Sequence, residues 1–580
     1  MCPKTAPVVA YEVSAVLANN VLPNNLGVTI PLNLNRDSDG DGVGDNEGGQ
    51  LNTAGGTLLY NRRGTEVPDV IVPPEGNEPG GSFQGGAGPL NDPTAMLYVR
   101  TNDLEPNPQT PIQQTLCNLG GVRNALCPVR LRNNAPVEPL VLRAKAGDCV
   151  KVVLYNRLPA TAPDLAGWQD TFWVVNRDLF NPVRPPEMHF FNNNLIRPSS
   201  FAGLHPQLVE YDVTRSDGLN VGINFLTGLA NTAVPGLLQN YVWYAGDLRT
   251  EKVNGNPLRI RIVPTPVEFG ATNLLSADRV KQPQKGLFGA LVIEPAGATW
   301  PDTLAQLQAA GEWVPDYQGT GTATRLTRAQ ATVTAPAGAA GSGGTYREAL
   351  VIGHKIANLR WKDGTAIANV NQDELGREGA EDSGHAGFNY GMEPSWFRFK
   401  LPPDAPFGNA GAANTFGSIP KVHAFYANGL VAGEPNTIPA IPGVSELGDP
   451  VTPVFHTSVD PTNPRLDTRM FVLNGASADR DGTFILHGHV WQRDPYVCPG
   501  QNNLGLTGRC NPNEPVPSRA LGLNPQAKYM GGQEGMGHIY GHWPILFDAG
   551  GTNGVTGDYL FRDYAPSGNR NGQFGILRVE

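Results

Sequence analysis

Three groups of residues in this 580-residue chain have types and spacings that could do chemistry. The first is Asp37-Ser-Asp39-Gly-Asp41-Gly42-Val43-Gly-Asp45. Oxygen donors at alternate positions, a glycine for the sharp turn and the Val43 carbonyl match the first nine positions of a calcium loop. Gly48 stands where such a loop places its closing Glu, so Glu47 or a distant carboxylate would have to complete the shell. The second group is six cysteines, none in C-x-x-C spacing. Cys117/Cys127 and Cys498/Cys510 lie in Gly/Asn/Pro-rich loops and suggest two local disulfides. Cys2 and Cys149 would then pair by elimination. The alternative is six free thiols, but an even number placed in loops favours an oxidising compartment. The third group is histidine. His205, His487 and His489 lie in similar short segments. His538 and His542 are spaced i, i+4, but Gly535, Gly537 and Gly541 argue against a helix, and no Glu follows His538 as a zinc protease requires. No phosphate loop, nucleotide fingerprint or G-x-S-x-G elbow is present. Glu187-Met188-His189 and Glu381-Asp382-Ser383-Gly384-His385 are isolated acid/His neighbours, and no catalysis is assigned to them.

The elements that must position these groups read as strands. Leu140–Arg143 and Val150–Tyr155 alternate as strands on either side of the Ala146-Gly147-Asp148 turn. Only 302–310 has a helical pattern. The stretches 35–93, 156–200, 335–344 and 402–450 read as long loops. Seventy glycines and 52 prolines exclude a helical bundle or coiled coil, and no apolar run reaches membrane-span length. Residues 1–20 lack the basic and apolar regions of a signal peptide. A net charge of −10 argues against nucleic acid and anionic membranes as partners.

A spaced self-similarity organises the chain. Gly286-Leu-Phe288-Gly289-Ala-Leu291-Val-Ile293 recurs as Gly572-Gln-Phe574-Gly575-Ile-Leu577-Arg-Val579. Leu204-His205-Pro-Gln207 recurs as Leu486-His487-Gly-His489 at nearly the same offset. Two homologous halves follow, 1–334 with the acidic loop as an insertion and 345–580, joined by the Gly/Ala/Pro/Ser run 335–344.

Both halves resemble the cupredoxin domains of multicopper oxidases, most closely the large bacterial metal-oxidising branch. The resemblance rests on Gly557 to Tyr564 followed by Gly572 to Val579, and on Ser216-Asp217-Gly218, Tyr241-Val242-Trp243-Tyr244 and Gly286 to Gly289 in the same order. It implies an all-β fold of two cupredoxin-like Greek-key β-sandwich domains with long loop insertions. It also implies a type 1 copper on a Cys thiolate and two His, and a three-copper cluster on eight His. This sequence departs from that pattern at most ligand positions. His205 is kept but Gln207, Gly270 and Thr272 replace the other first-half ligands. Gly482, Ile485, His487 and His489 align to the third segment, in which only His487 holds a ligand position, since the family's terminal His is usually not a ligand. Arg562-Asp563-Tyr564 replaces His-Cys-His, Gly568 the next His, and Gln573 the axial Met. A blue copper site needs a thiolate, and a three-copper cluster cannot stand on two imidazoles.

The expectation is therefore a secreted, extracellular or periplasmic protein with the family fold and without its chemistry. Its role would be that of a structural or interaction subunit with protein partners or self-assembly, carrying calcium at Asp37, Asp39, Asp41, Val43 and Asp45. The alternative is a copper-dependent oxidoreductase with an atypical or shared copper at His205, His487 and His489. A third reading is a binding protein using the cleft left by the missing ligands.

Overall fold

The computed structural model describes residues 2–30, 51–60, 89–164, 172–176, 187–191, 198–219, 231–278, 281–316, 318–320, 324–336, 344–356, 359–364, 385–390, 454–455, 468–476, 482–492, 529–534, 541–551, 553–564 and 573–579. The acidic loop, His538, Gly568, Cys498 and Cys510 lie outside them.

Strands dominate, and the fold is all-β. The first half is built from β1 (Val8–Leu17), β2 (Met96–Arg100), β3 (Leu140–Lys145), β4 (Cys149–Asn156), β5 (His205–Pro206), β6 (Glu210–Tyr211), β7 (Leu238–Tyr244), β8 (Gly270–Leu275) and β9 (Gly289–Glu294). They form a sheet of order β6-β7-β4-β1-β2 and a second of order β5-β8-β9-β3. The second half uses β10 (Gln330–Ala335), β11 (Gly344–Ile356), β12 (His385–Phe388), β13 (Val454–Phe455), β14 (Thr468–Ala476), β15 (Thr483–Leu486), β16 (Gly532–Glu534), β17 (His542–Leu546), β18 (Gly557–Asp563) and β19 (Phe574–Val579). Its sheets run β10-β11-β14-β17, with β12 also on β11, and β13-β19-β18-β15-β16.

The sheets are mixed rather than purely antiparallel. β1 runs parallel to β4 and β3 to β9, and the pairs β11/β14 and β13/β19 repeat this in the second half. The chain opens each sandwich in one sheet and closes it in the other, where the last strand lies parallel to an earlier one, β9 to β3 and β19 to β13. Gln330–Ala335, which falls before the linker run in the sequence, is paired with β11 of the second half.

The apolar periodicity fixes the stacking. In β9, Leu291 and Ile293 enter a core with Val13, Leu142, Leu154 and Trp243. Ala290 and Val292 on its other face enter a second core with Leu350, Ile352, Phe471 and Leu473. In β14, Met470 and Val472 turn to a third core with Phe484, Phe561 and Leu577. The four sheets are thus layers, and the closing sheet of the first half packs on the opening sheet of the second. Both faces of β9 are covered, which is why its sequence is continuously apolar. Close approach is needed here. A Cβ on Gly270 would come within 2.6 Å of the Phe471 ring, and one on Gly475 within 2.6 Å of the Phe288 ring.

A charged seam runs through the same interface. Arg143 of β3 donates to Glu294 at 2.8 Å and to Glu348 of β11, all fully buried. The Tyr346 hydroxyl donates to Glu294 at 2.7 Å, and the Arg469 guanidinium lies over the Tyr346 ring and pairs with Glu268. Burial raises the Tyr346 phenol well above its usual range, with the Glu294 charge next in effect, so it is a permanent donor.

Two disulfides are formed, Cys2–Cys149 and Cys117–Cys127. Within the regions read as loops, Leu58–Tyr60 pairs with Leu90–Asp92 and Phe172–Asn176 with Glu187–Phe191. These short segments are rich in leucine, aromatic and β-branched residues, which suit pleated pairing even where turn signals surround them. The helix 304–310 follows Thr303, whose side chain accepts from the Gln306 N–H in a capping box. A second helix, Pro111–Asn118, has the same device at Thr110 and was not expected from the sequence. Among the described residues no helix is long and apolar enough to cross a membrane.

Candidate functional site

The described positions that the copper-oxidase resemblance assigns to ligands lie on or beside β5, β8, β15, β18 and β19. His205 opens β5 opposite Leu275 of β8. His487 directly follows β15, its N–H donating to the Leu560 carbonyl of β18 at 2.9 Å. β5 and β15 are equivalent strands, as the repeat predicts, but the register differs by two residues. Pro206 faces Leu274, which faces Gly289; Leu486 faces Phe561, which faces Gly575. Gln207, not His205, is therefore the counterpart of His487. The two-residue slip keeps side chains on the same face, so the alternation of the sequence could not reveal it.

The first-half positions are joined to one another. The Thr272 hydroxyl donates to Gln207 Oε1 at 3.3 Å, and Gly270 has φ +77° with the Phe471 ring against it. The Nδ1–H of His205 donates to the Asp217 carbonyl at 2.8 Å, with the Asp217 carboxylate 3.3 Å away and Tyr211 edge-on. Asp217, quoted above for its order in the chain, thus orients this imidazole, while Ser216 accepts from the Val242 N–H and the Trp243 indole.

The second-half positions also converge. Gly482 and Asp563 are neighbours: a Cβ on Gly482 would lie 2.6 Å from both Asp563 carboxylate oxygens. The Asp563 carboxylate accepts the Thr483 N–H at 2.9 Å, and the Asp563 N–H donates to the Gln573 carbonyl at 3.1 Å. The side chain at the thiolate position therefore fills the space left by the missing imidazole at Gly482. Asp563 is buried and ties the start of β15 to β18.

Arg562 occupies the position before it and donates from Nε to His487 Nε2 at 3.2 Å, with its guanidinium over the Tyr564 ring. The lone pair His487 would offer a metal is thus engaged by a cation. Burial, and next the Arg562 charge, lower the His487 pKa. His489 is committed at both nitrogens. Nδ1–H donates to the His487 carbonyl and Nε2 accepts the Gly550 N–H, each at 3.0 Å. Its ring is boxed edge-on by Phe547 and Tyr559, and burial lowers its pKa.

His205 belongs to the second sheet of the stack and His487 and His489 to the fourth. Among the described residues, no three His, Cys, Asp or Glu side chains stand together as a metal group. The calcium residues Asp37, Asp39, Asp41, Val43 and Asp45 lie outside the described residues.

Sequence reasoning missed His354, a fully buried imidazole whose Nε2 accepts the Tyr390 N–H at 2.9 Å. Burial lowers its pKa to about 3. It also missed a buried knot of Lys281, Lys285, Asp92 and Asp164. Neither carries a motif, because their partners are distant in sequence.

No family model matches the chain, and no curated protein matches it. Among solved structures, one described as a multicopper oxidase is 10% identical with a TM-score of 0.31, covering 76% of this chain and 79% of its own. A copper nitrite reductase from Nitrosomonas europaea gives the same identity and TM-score, covering 76% of this chain and 83% of its own. The fold assignment rests on the sheets and cores described above.

Proposed function

We propose that this chain is a non-catalytic, multicopper-oxidase-like protein acting outside the reducing cytoplasm, as a structural or interaction subunit of a larger assembly. One observation carries the reading: Arg562 hydrogen-bonds His487 where the resemblance would place cluster ligands. A guanidinium stays protonated at any physiological pH and repels a metal cation from that imidazole. Asp563 beside Gly482 supports it, since a carboxylate does not reproduce a thiolate–imidazole site. The two disulfides support an oxidising compartment. The acidic loop would hold calcium and stiffen an insertion available for contacts.

The test is elemental analysis and visible absorption of the purified chain after copper loading and desalting. The expected result is no strong blue band, no oxygen reduction and no stoichiometric copper. Restoring the thiolate with Asp563→Cys alone should not create activity, because Gly482 still lacks an imidazole. Three or more tightly bound coppers per chain would overturn the proposal in favour of a copper oxidoreductase. Calcium is tested separately: adding it should protect the 37–45 segment from proteolysis, and no change in cleavage would remove calcium from the proposal.

A further inference from the structure

The knot of charge beneath the first half has the geometry of a reaction centre rather than of a simple ion pair. Lys281, Lys285 and Asp92 are fully buried, and Asp164 is 1% exposed. Lys285 Nζ lies 3.3 Å from Asp92 Oδ2 and 3.3 Å from Asp164 Oδ1. It donates to Thr94 Oγ1 at 2.7 Å. The Thr94 hydroxyl and N–H in turn donate to Asp92 Oδ1, at 2.6 Å and 2.8 Å. Lys281 Nζ stands 3.7 Å from the other oxygen of Asp164.

We propose that Lys285 and Asp92 form an intramolecular isopeptide bond, with Asp164 as the proton carrier. The two carboxylates are not equivalent. Asp92 has one oxygen gripped by two donors of Thr94 and the other facing the amine. Such donors stabilise negative charge on Oδ1 as the carbonyl carbon becomes tetrahedral, and they remain suited to an amide oxygen afterwards. Asp164 is shared by two lysines, one at each carboxylate oxygen, which places it to carry protons between Lys285 and Asp92.

The step balances as a condensation. Asp164 takes a proton from the Lys285 ammonium, and the freed amine attacks Cγ of Asp92. The Nζ–Cγ bond forms, Asp164 passes the proton it took to Oδ2, then carries a second proton from the attacking nitrogen to the same oxygen, and the Cγ–Oδ2 bond breaks. One water leaves, Oδ1 becomes the amide oxygen, and nothing is oxidised or reduced. The fold supplies the alignment that makes such a reaction effectively unimolecular. The product also replaces a fully buried ion pair by a neutral amide, removing a desolvation cost that buried charges otherwise carry. Lys281 and Arg360 remain as cations around Asp164; burial chiefly lowers the Arg360 pKa, and the charges of Asp92 and Asp164 oppose that. The bond would join residues 193 apart, clamping Leu90–Asp92 to the turn that leads into β9.

The test is intact-mass measurement of the full chain after denaturation, reduction and alkylation. The expected mass is one water below that of the sequence. Tryptic digestion should leave Lys285 uncut, in a branched peptide joined through Asp92. Lys285→Arg and Asp164→Asn chains should each show the full mass, which reads the chemistry whether or not the variant is stable. A wild-type chain at full mass overturns the proposal. A branch from either lysine to Asp164, or a link that persists in the Asp164→Asn chain, overturns the roles assigned.

Discussion

β9 and β19 are the same strand in two settings. Each begins at a Phe-Gly pair, closes its sandwich and lies parallel to an early strand. Their inward residues match: Leu291 and Ile293 in one core, Leu577 and Val579 in the other. They part on the opposite face, where Val292 of β9 corresponds to Arg578 of β19. Val292 is fully buried in an apolar core with the second half, whereas Arg578, also buried at 8% exposure, places a charged side chain in the last sheet of the stack. A repeat diverges where its two copies meet different neighbours. The residue pair Val292/Arg578 therefore records which closing sheet is the interior layer.

The sharpest way to break that comparison is to transplant the charged residue into the apolar layer. Val292→Arg would bury a guanidinium without a partner between Phe471 and Leu473, and should cost roughly 4 kcal/mol or more. Chemical denaturation reads it directly. A soluble variant of near-native midpoint would mean that the two halves do not share this core.

Next in size is the charged seam across the same layers. Arg143→Ala leaves Glu294 and Glu348 buried without their shared cation. Breaking a buried pair from one side costs about 3–5 kcal/mol. The loss should appear as weakened coupling between the halves, with two unfolding transitions in place of one. A single transition of unchanged midpoint would show that apolar packing alone joins them.

His354 sharpens the comparison with acid. Its imidazole lies in the shared core, beside Phe288 of the first half and Tyr390 of the second. Burial lowers its folded pKa from 6.5 to about 3. The neutral form is the one that folds, so its contribution is complete above about pH 6.5. That contribution falls as pH drops from there towards 3, where the folded imidazole also takes a proton. At about 1.4 kcal/mol per pH unit the loss can reach a few kcal/mol. His354→Gln should flatten the stability profile across that window. An unchanged profile would assign acid sensitivity to other groups.

How much of this was legible depends on how local the cause is. The repeat around Phe288 and Phe574 fixed the closing strands, because two-faced burial forces a continuous apolar run. The cysteine positions indicated both disulfides seen here. The register of His205 against His487 was not legible, since a shift of two residues preserves the facing pattern. Nor were the Arg143–Glu348 and Lys285–Asp92 contacts, which join residues far apart in the chain through topology alone. The parallel pairs were missed for the same reason. The convergence of Gly482, Asp563 and Gln573 came from the family resemblance; no local pattern in the sequence announces it.

The smallest effect separates local order from the layered core. Pro111–Asn118 was legible in principle: Thr110 precedes Pro111, and Gln113 completes a capping box. Thr110 accepts the Gln113 N–H at 3.2 Å, and the Gln113 side chain accepts the Thr110 N–H at 3.1 Å. The helix buries only Cys117, so the apolar stripe by which helices are usually recognised is missing. With so little packing, its stability rests on the cap and on the Cys117–Cys127 bond. Thr110→Ala should therefore cost about 0.5–1 kcal/mol, at the low end for caps, because water can satisfy the exposed donor it leaves. The cost should be confined to this helix. Amide exchange in 111–118 should quicken while the denaturation midpoint stays where it was. A midpoint shift approaching that of Arg143→Ala would place this helix within the layered core.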